Sequence, residues 1–396
     1  MADVGTPTAG YKSKTAGDGD LTILLMLKDR ASFTFRWMSY ADSVTFPFKV
    51  FVADGGSDDA VERVLTDRGN YPHVDFTYVR YPPDESYAHF YAKLDDALSR
   101  IDTPLVALSD NDDFWIVDGT RESARFLRAH PDYVTCGGQM AYFWVNASGS
   151  AHPVHSLYGN RVAWKISRVP EPSTEGTASA RIRVPYDVYY HVHRTAELRR
   201  HFRIIRDANP QDIFMVDFMV FLLTAIAGPS KTLDVLYLAR QNDSPGSAAA
   251  AHQEQHGDWF GRMFQPFWSD DITHLVRVVS AALADADAIP LDEARTRILD
   301  WLRTSFGRDV LTTLVRDRKV TPLPVLMSCL VPALLARIRR DSTLWDVARG
   351  TYRRLRWISP EAVQGTEWRS RPVAQAAEAF KQVQDFLARG APHPTP

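Results

Sequence analysis

Cysteine is nearly absent: Cys136 and Cys329 are the only two in 396 residues. That excludes a disulfide framework and a cysteine zinc site, and it fits a reducing compartment. Net charge is nearly absent too, with 46 basic residues against 48 acidic ones and a formal −2. No global basic field exists to recruit nucleic acid. Met1 to Asp20 hold Gly, Thr, Ala and Asp but no apolar core. This stretch reads as neither a secretion signal nor a membrane span, and a disordered tail is expected for residues 1–20. No internal repeat is evident. Long uninterrupted apolar runs are lacking as well. Val320 to Ile338 comes nearest, but Pro322, Pro324 and Pro332 interrupt it. It reads as a buried helix pair rather than a span, with a membrane-surface contact as the alternative. The expected setting is cytoplasmic, at most peripheral at the inner face of the cell membrane.

What is present is ordinary for a soluble globular protein, with 45% hydrophobic and 24% charged residues. The length suits two domains. Strand-like runs at Leu21 to Leu27, Phe48 to Ala53, Val74 to Val79 and Pro104 to Leu108 alternate with helical patterns. Those patterns cover Arg30 to Tyr40, Ala60 to Arg68 and Tyr87 to Arg100. Such alternation predicts an α/β fold with a mostly parallel, Rossmann-like sheet. Residues 146–185 carry Gly, Ser, Pro and Thr and read as a long loop or insertion. Val184 to Arg194 is strand-like, Gln211 to Ala227 is a helix stopped by Gly228-Pro229, and Thr232 to Ala239 is another strand candidate. From Ile272 onward the pattern is helical, as in Leu291 to Phe306 and Ala374 to Ala388. A boundary near Asp270 therefore separates an α/β domain, 21–270, from an all-α domain, 271–396. The latter is a candidate for acceptor binding or for a homodimer contact through Trp301, Trp345, Trp357 and Trp368.

The chemistry gathers at strand ends. Ser109-Asp110-Asn111-Asp112-Asp113-Phe114-Trp115 follows the buried-strand run at Pro104. Beyond strand tips is where α/β sheets hold ligands. Three carboxylates there need positive charge among them, and a hard divalent cation takes oxygen ligands. Two further polar turns end the first two strands, Lys28-Asp29-Arg30 and Asp54-Gly55-Gly56-Ser57. Glycines at 55 and 56 leave room for backbone to approach a ligand. An ordinary β-turn explains the second turn when it is taken alone. His191 and His193 alternate with Tyr189 and Tyr190 nearby, so both histidines share a strand face. That face suits an acceptor pocket or an edge strand equally. Trp115 reads as a sugar-stacking ring or as core.

Taken in order, the three acidic turns resemble the family-2 glycosyltransferases with the GT-A fold, over roughly residues 21 to 245. Asp29 stands where Asn is common, and Gly55 where a second Asp is common. The resemblance implies transfer of a sugar from a nucleotide-diphosphate donor, a UDP-sugar for preference, to an acceptor hydroxyl with inversion. Glycan, lipid-linked and protein acceptors all fit. It also implies Mn²⁺ or Mg²⁺ on Asp112, with Asp110 at the ribose or the hydration shell and Asn111 beside them. Asp113 would support them or cap a helix. Asp29, Asp54, Gly56 and Lys93 would face the nucleotide, and Arg240 the diphosphate oxygens. His252, four residues before His256, would complete the metal shell or be a surface histidine. For the general base, Asp217 has the family-like distance to Gly228 and to the strand Leu233 to Leu238, although Val216 precedes it where Glu is usual. Asp212 is the rival, in Asn209-Pro210-Gln211-Asp212, a setting where Asp is commonly a helix cap. Two other readings stand beside this one. A sugar-1-phosphate nucleotidyltransferase would need a Gly-rich loop after the first strand, and Leu27-Lys28-Asp29-Arg30-Ala31 has no glycine. A non-catalytic GT-A-like scaffold would not need Asp110, Asp112 and Asp217.

Overall fold

The computed structural model describes residues 17–144, 163–167, 176–183, 188–242, 244, 246–257, 259–316 and 371–389. Among the described residues nine strands form one sheet: β1 Leu21–Leu27, β2 Lys49–Asp54, β3 Phe76–Arg80, β4 Leu105–Ser109, β5 Phe114–Trp115, β6 Thr135–Trp144, β7 Ala163–Ser167, β8 Val192–Arg194 and β9 Ser230–Gln241. Their order is β3-β2-β1-β4-β8-β6-β9-β5, with β7 on β6. The first half is α/β in the expected sense. Helices α1 (Ala31–Ser43), α2 (Ala60–Leu65) and α3 (Tyr87–Arg100) link β1 to β4. All pairings within β3-β2-β1-β4 are parallel. Parallel strands are covered on both faces, which is why Leu21–Leu27 is buried at every position. Beyond β4 the sheet is mixed. β8 runs antiparallel to β4 and β6, β9 is parallel to β6, and β5 is antiparallel to β9.

Register fixes where the acids sit. Leu27 pairs with Asp54, Asp54 with Arg80, and Leu25 with Ser109. The strands therefore end together on one rim, and Asp29, Asp54 and Asp110 leave the sheet side by side.

The remaining helices are α4 (Val117–Ala129), α5 (Ala178–Arg181), α6 (Thr195–Ala208), α7 (Ile213–Ala227), α8 (Ala248–His256) and α9 (Trp259–Arg262). After them come α10 (Pro266–Asp287), α11 (Leu291–Arg316) and α12 (Arg371–Arg389). Asp270 falls inside α10. Leu275, Val279 and Leu283 of α10 join the same core as β1 and α7. The Asp271 carboxylate accepts from the backbone N–H groups of Gln211 and Asp212, tying α10 to the start of α7. Helix α12 also returns to the sheet: Phe380, Val383 and Phe386 are buried with Tyr40, Phe114 and Phe143.

Residues 18–20, assigned to the tail by sequence, form a 3-10 turn. The reason is a bidentate pair that sequence pattern does not show, Arg121 Nε and Nη2 to Asp18 at 2.9 and 3.1 Å. Within the expected 146–185 loop, Ala163–Ser167 is a strand and Ala178–Arg181 a helical turn whose first N–H groups donate to Asp287. Residues 146–162, 168–175 and 184–185, the 320–338 stretch, Cys329, Trp345, Trp357 and Trp368 lie outside the described residues. Among the described residues no helix is long and apolar enough to cross a membrane.

Candidate active site

The Asp110–Asp113 turn leaves β4 and enters β5. Phe114 and Trp115 are fully buried, so the turn is anchored at both ends. Asp110, Asp112 and Asp113 each offer an oxygen, and these atoms lie within 4.8 Å of one another. Asp112 and Asp113 are buried, and Asp110 is half-buried. Burial, with Asp112 alongside, raises the Asp110 carboxyl above its ordinary value. Burial raises Asp113 further, against the opposing pull of Arg240.

Cationic and hydroxyl groups answer this charge. Arg30 Nη2 donates to Asp112 Oδ2 at 3.0 Å. The same nitrogen donates to the Ser244 hydroxyl. Arg240 Nε donates to Asp113 at 3.2 Å, and the Gln241 N–H donates to the other oxygen at 3.0 Å. Tyr190 gives its hydroxyl hydrogen to Asp110. Arg36 reaches the Asp112 carbonyl at 3.3 Å and the Gln241 side chain at 2.7 Å. Burial brings its guanidinium down to about 10. Asn111 turns away from the crevice, donating to the Thr34 hydroxyl at 3.2 Å.

The neighbouring turn is strained. Asp29 and Arg30 both adopt left-handed backbone, φ 55° and 58°, which is uncommon for residues other than glycine. Asp29 Oδ1 accepts from the Ser57 N–H and hydroxyl at 2.6 and 2.7 Å, joining the first two strand-end turns. Burial works against the Asp29 charge, but these two bonds hold its carboxyl below the usual value.

Several residues expected at the ligand are engaged elsewhere. Asp54 is only 1% exposed. Its oxygens accept from Gly56 N–H (2.8 Å), Tyr78 hydroxyl (2.6 Å) and Arg80 (2.8 Å). It therefore fixes Arg80 and the 54–57 turn rather than facing the crevice. Lys93 is buried, donating to the Leu27 carbonyl at 2.7 Å and to Asp84. Burial lowers its ammonium and raises the Asp84 carboxyl. The Asp84 carboxylate lies where a side chain at 55 would go, since a Cβ there would sit 2.6 Å from it. That explains why Gly, and not a second Asp, stands at 55. Arg240 is committed to Asp113 and stacks over Tyr190 at 4.1 Å.

His252 does not join the acidic cluster. Its Nδ1 meets the Tyr87 hydroxyl at 2.7 Å, and its Nε2 lies 3.3 Å from Asp212. Among the described residues the metal-capable group is the three aspartates alone. Asp212 is fully buried and caps α7 through the Phe214 N–H at 3.0 Å, while Arg262 donates to its other oxygen at 3.0 Å. It is a structural hub, unsuited to meeting a substrate. Asp217, one turn further along α7, is exposed. Burial, with the charges of Asp110 and Asp217 adding to it, pushes the Tyr189 hydroxyl well above its ordinary value. His191 and His193 are buried in the core, not lining a surface pocket.

The sequence reading gave no role to Arg30, Arg36, Tyr78, Arg80, Asp84 or Ser244. A weak signal existed for Arg80, which ends β3 beside Asp54. None existed for Ser244, which follows β9 and meets Arg30.

No protein-family model matches the chain, and no curated protein matches it by sequence. Among solved structures, S. aureus TarS 1-349 in complex with UDP is 15% identical with TM-score 0.44, over 72% of each chain. A further structure of S. aureus TarS 1-349 overlaps 94% of this chain and 93% of its own, at 14% identity and TM-score 0.43. The mannosyltransferase PcManGT from Pyrobaculum calidifontis, in complex with GDP-Man and Mn²⁺, is 15% identical with TM-score 0.36, over 94% and 88%. Overlaps this loose say nothing about the chemistry of the present site.

Proposed function

We propose that this protein is a GT-A-type glycosyltransferase, moving a sugar from a nucleotide-diphosphate donor to an acceptor hydroxyl. The observation that carries the reading is the rim itself. Three parallel strands end together, and the fourth position on that rim presents three carboxylates within 4.8 Å. That crevice beyond strand tips is where a nucleotide suits an α/β sheet.

The donor set fits a hard divalent cation, because all three groups are carboxylate oxygens and two are buried. Asp112 and Asp110 would hold Mn²⁺ or Mg²⁺, and Asp113 would back them while clamped by Arg240 and Gln241. When bound, such an ion neutralises charge on a leaving diphosphate. Arg30 and Arg240 place guanidinium groups beside that position, matched to phosphate oxygens. Asp29 and Ser57 form the floor under the nucleoside. Asp217 is the proposed base. Its exposed carboxylate takes the proton of the acceptor hydroxyl as that oxygen attacks the anomeric carbon from the face opposite the leaving group. The sugar passes through an oxocarbenium-like transition state and inverts. The acceptor is a glycan, a lipid-linked sugar or a protein hydroxyl, met in the cytoplasm or at the inner membrane face.

The test is a panel of UDP-, GDP- and dTDP-sugars incubated with the protein and Mn²⁺, scored for release of nucleoside diphosphate. Turnover of one donor that stops on adding EDTA is expected. No turnover and no binding of any donor would reject the reading.

A further inference from the structure

Arg30 touches the carboxylate assigned to the cation, and its environment is unusual. Both N–H groups of Nη2 are used, one on Asp112 and one on Ser244. Its Nε is buried and has no acceptor. The guanidinium otherwise lies over the Phe33 ring at 4.1 Å. A buried N–H without a partner is costly, so this pose of Arg30 is incomplete. Its backbone is left-handed at φ 58°, next to Asp29 at φ 55°. Residues held this way mark places where strain serves a function.

We infer that Arg30 is an internal counter-ion of Asp112 that exchanges with the divalent cation and then binds the donor's diphosphate. The inference rests on the metal-dependent reading above. A divalent cation on Asp112 repels the guanidinium held against the same carboxylate and weakens its hold there. Arg30 therefore yields Asp112 when the cation arrives. A diphosphate arriving with that cation offers anionic oxygens in place of the Asp112 carboxylate, and it gives Nε an acceptor. Ser244 follows the end of β9, so release of Arg30 also gives up its bond to the Ser244 hydroxyl. The consequence is ordered affinity: the cation alone binds weakly, and cation with nucleoside diphosphate binds well.

The experiment measures Mn²⁺ uptake from the electron spin resonance of free Mn²⁺, with and without UDP and GDP, in the wild type and in Arg30→Gln. Arg30→Gln is expected to bind Mn²⁺ alone roughly tenfold more tightly and to bind Mn²⁺ with diphosphate roughly tenfold more weakly. Shifts of opposite sign are not what a merely structural arginine gives. Ser244→Ala lies in a loop and removes one of the two Nη2 bonds. It should tighten Mn²⁺ alone by a smaller factor, and it carries the test if Arg30→Gln does not fold. Unchanged or weakened Mn²⁺ binding in the folded variants overturns the role of Arg30 and leaves the metal reading standing. Absence of Mn²⁺ uptake by every protein, with either nucleotide present, overturns both.

Discussion

Two aspartates five residues apart on one helix start differ in what surrounds them. Asp212 is sealed among Phe214 N–H, Arg262 and His252, whereas Asp217 is exposed. Asp212→Ala leaves Arg262 buried without its carboxylate, and breaking such a pair destabilises by about 3–5 kcal/mol. A large fall in melting temperature is expected. Asp217→Asn should leave the melting temperature unchanged and lower kcat by roughly 10²–10⁴-fold. Comparing melting curves and initial rates of the two variants checks this, and a reversal of the two effects would reassign the base. Sequence brought Asp217 forward by its distance to Gly228 and the strand after it, and Asp212 as a rival in a setting that reads as a helix cap. It could not rank them by exposure, since that depends on α8, α9 and α10 folding over the start of α7. The same limit applies to Asp54 and Lys93. Both were expected to face the nucleotide, but they are engaged by Arg80 and Asp84, which come from the neighbouring β3 and the loop after it.

At the scale of elements, the parallel half was readable because β1, β2 and β4 are continuous apolar runs with helices between them. Strand β6 was not, since Gly137 and Gly138 interrupt its pattern. The structure gives the reason: a Cβ at 137 would meet the His191 ring at 2.3 Å, and one at 138 the Val235 carbonyl at 2.3 Å. Helix α12 was readable as a helix, but its destination was not. Phe386 rests edge-on against Phe114 at 5.9 Å and Tyr40 at 5.5 Å. Tyr40 in turn donates to the Trp115 carbonyl at 3.1 Å. Helix α12 therefore buttresses the strand that the acidic turn feeds into. Phe386→Ala should destabilise the protein by about 3–5 kcal/mol. It should also weaken Mn²⁺ binding, because Phe114 directly follows Asp113. Denaturant unfolding and Mn²⁺ titration of this variant measure the two effects. A stability loss with unchanged metal affinity would confine α12 to a packing role.

For the whole molecule, buried histidines make stability depend on acid. Burial brings His191 and His201 down to about 3, and His193 to about 4. Above pH 6.5 these groups are neutral whether the chain is folded or unfolded, and they contribute no slope. Below it the unfolded chain takes up protons that the folded one refuses, until pH falls to about 3–4. Each therefore lowers stability by about 1.4 kcal/mol per pH unit across that window. The buried Asp110 and Asp113 act in the opposite direction, so a variant isolates one histidine better than the raw profile does. Both nitrogens of His201 are buried without a hydrogen-bond partner. His201→Leu should flatten the fall in melting temperature between pH 6.5 and 4 relative to the wild type; parallel profiles would refute the buried neutral state.

The central claim is that the acidic rim binds a nucleoside diphosphate through a divalent cation on Asp112. Isothermal titration of UDP and GDP, with Mn²⁺ and with EDTA, into the wild type and Asp112→Asn addresses it directly. The predicted result is binding of one nucleotide by the wild type only when Mn²⁺ is present, lost in a folded Asp112→Asn protein. Equal affinity with EDTA and with Mn²⁺, or an Asp112→Asn protein that binds like the wild type, would contradict it.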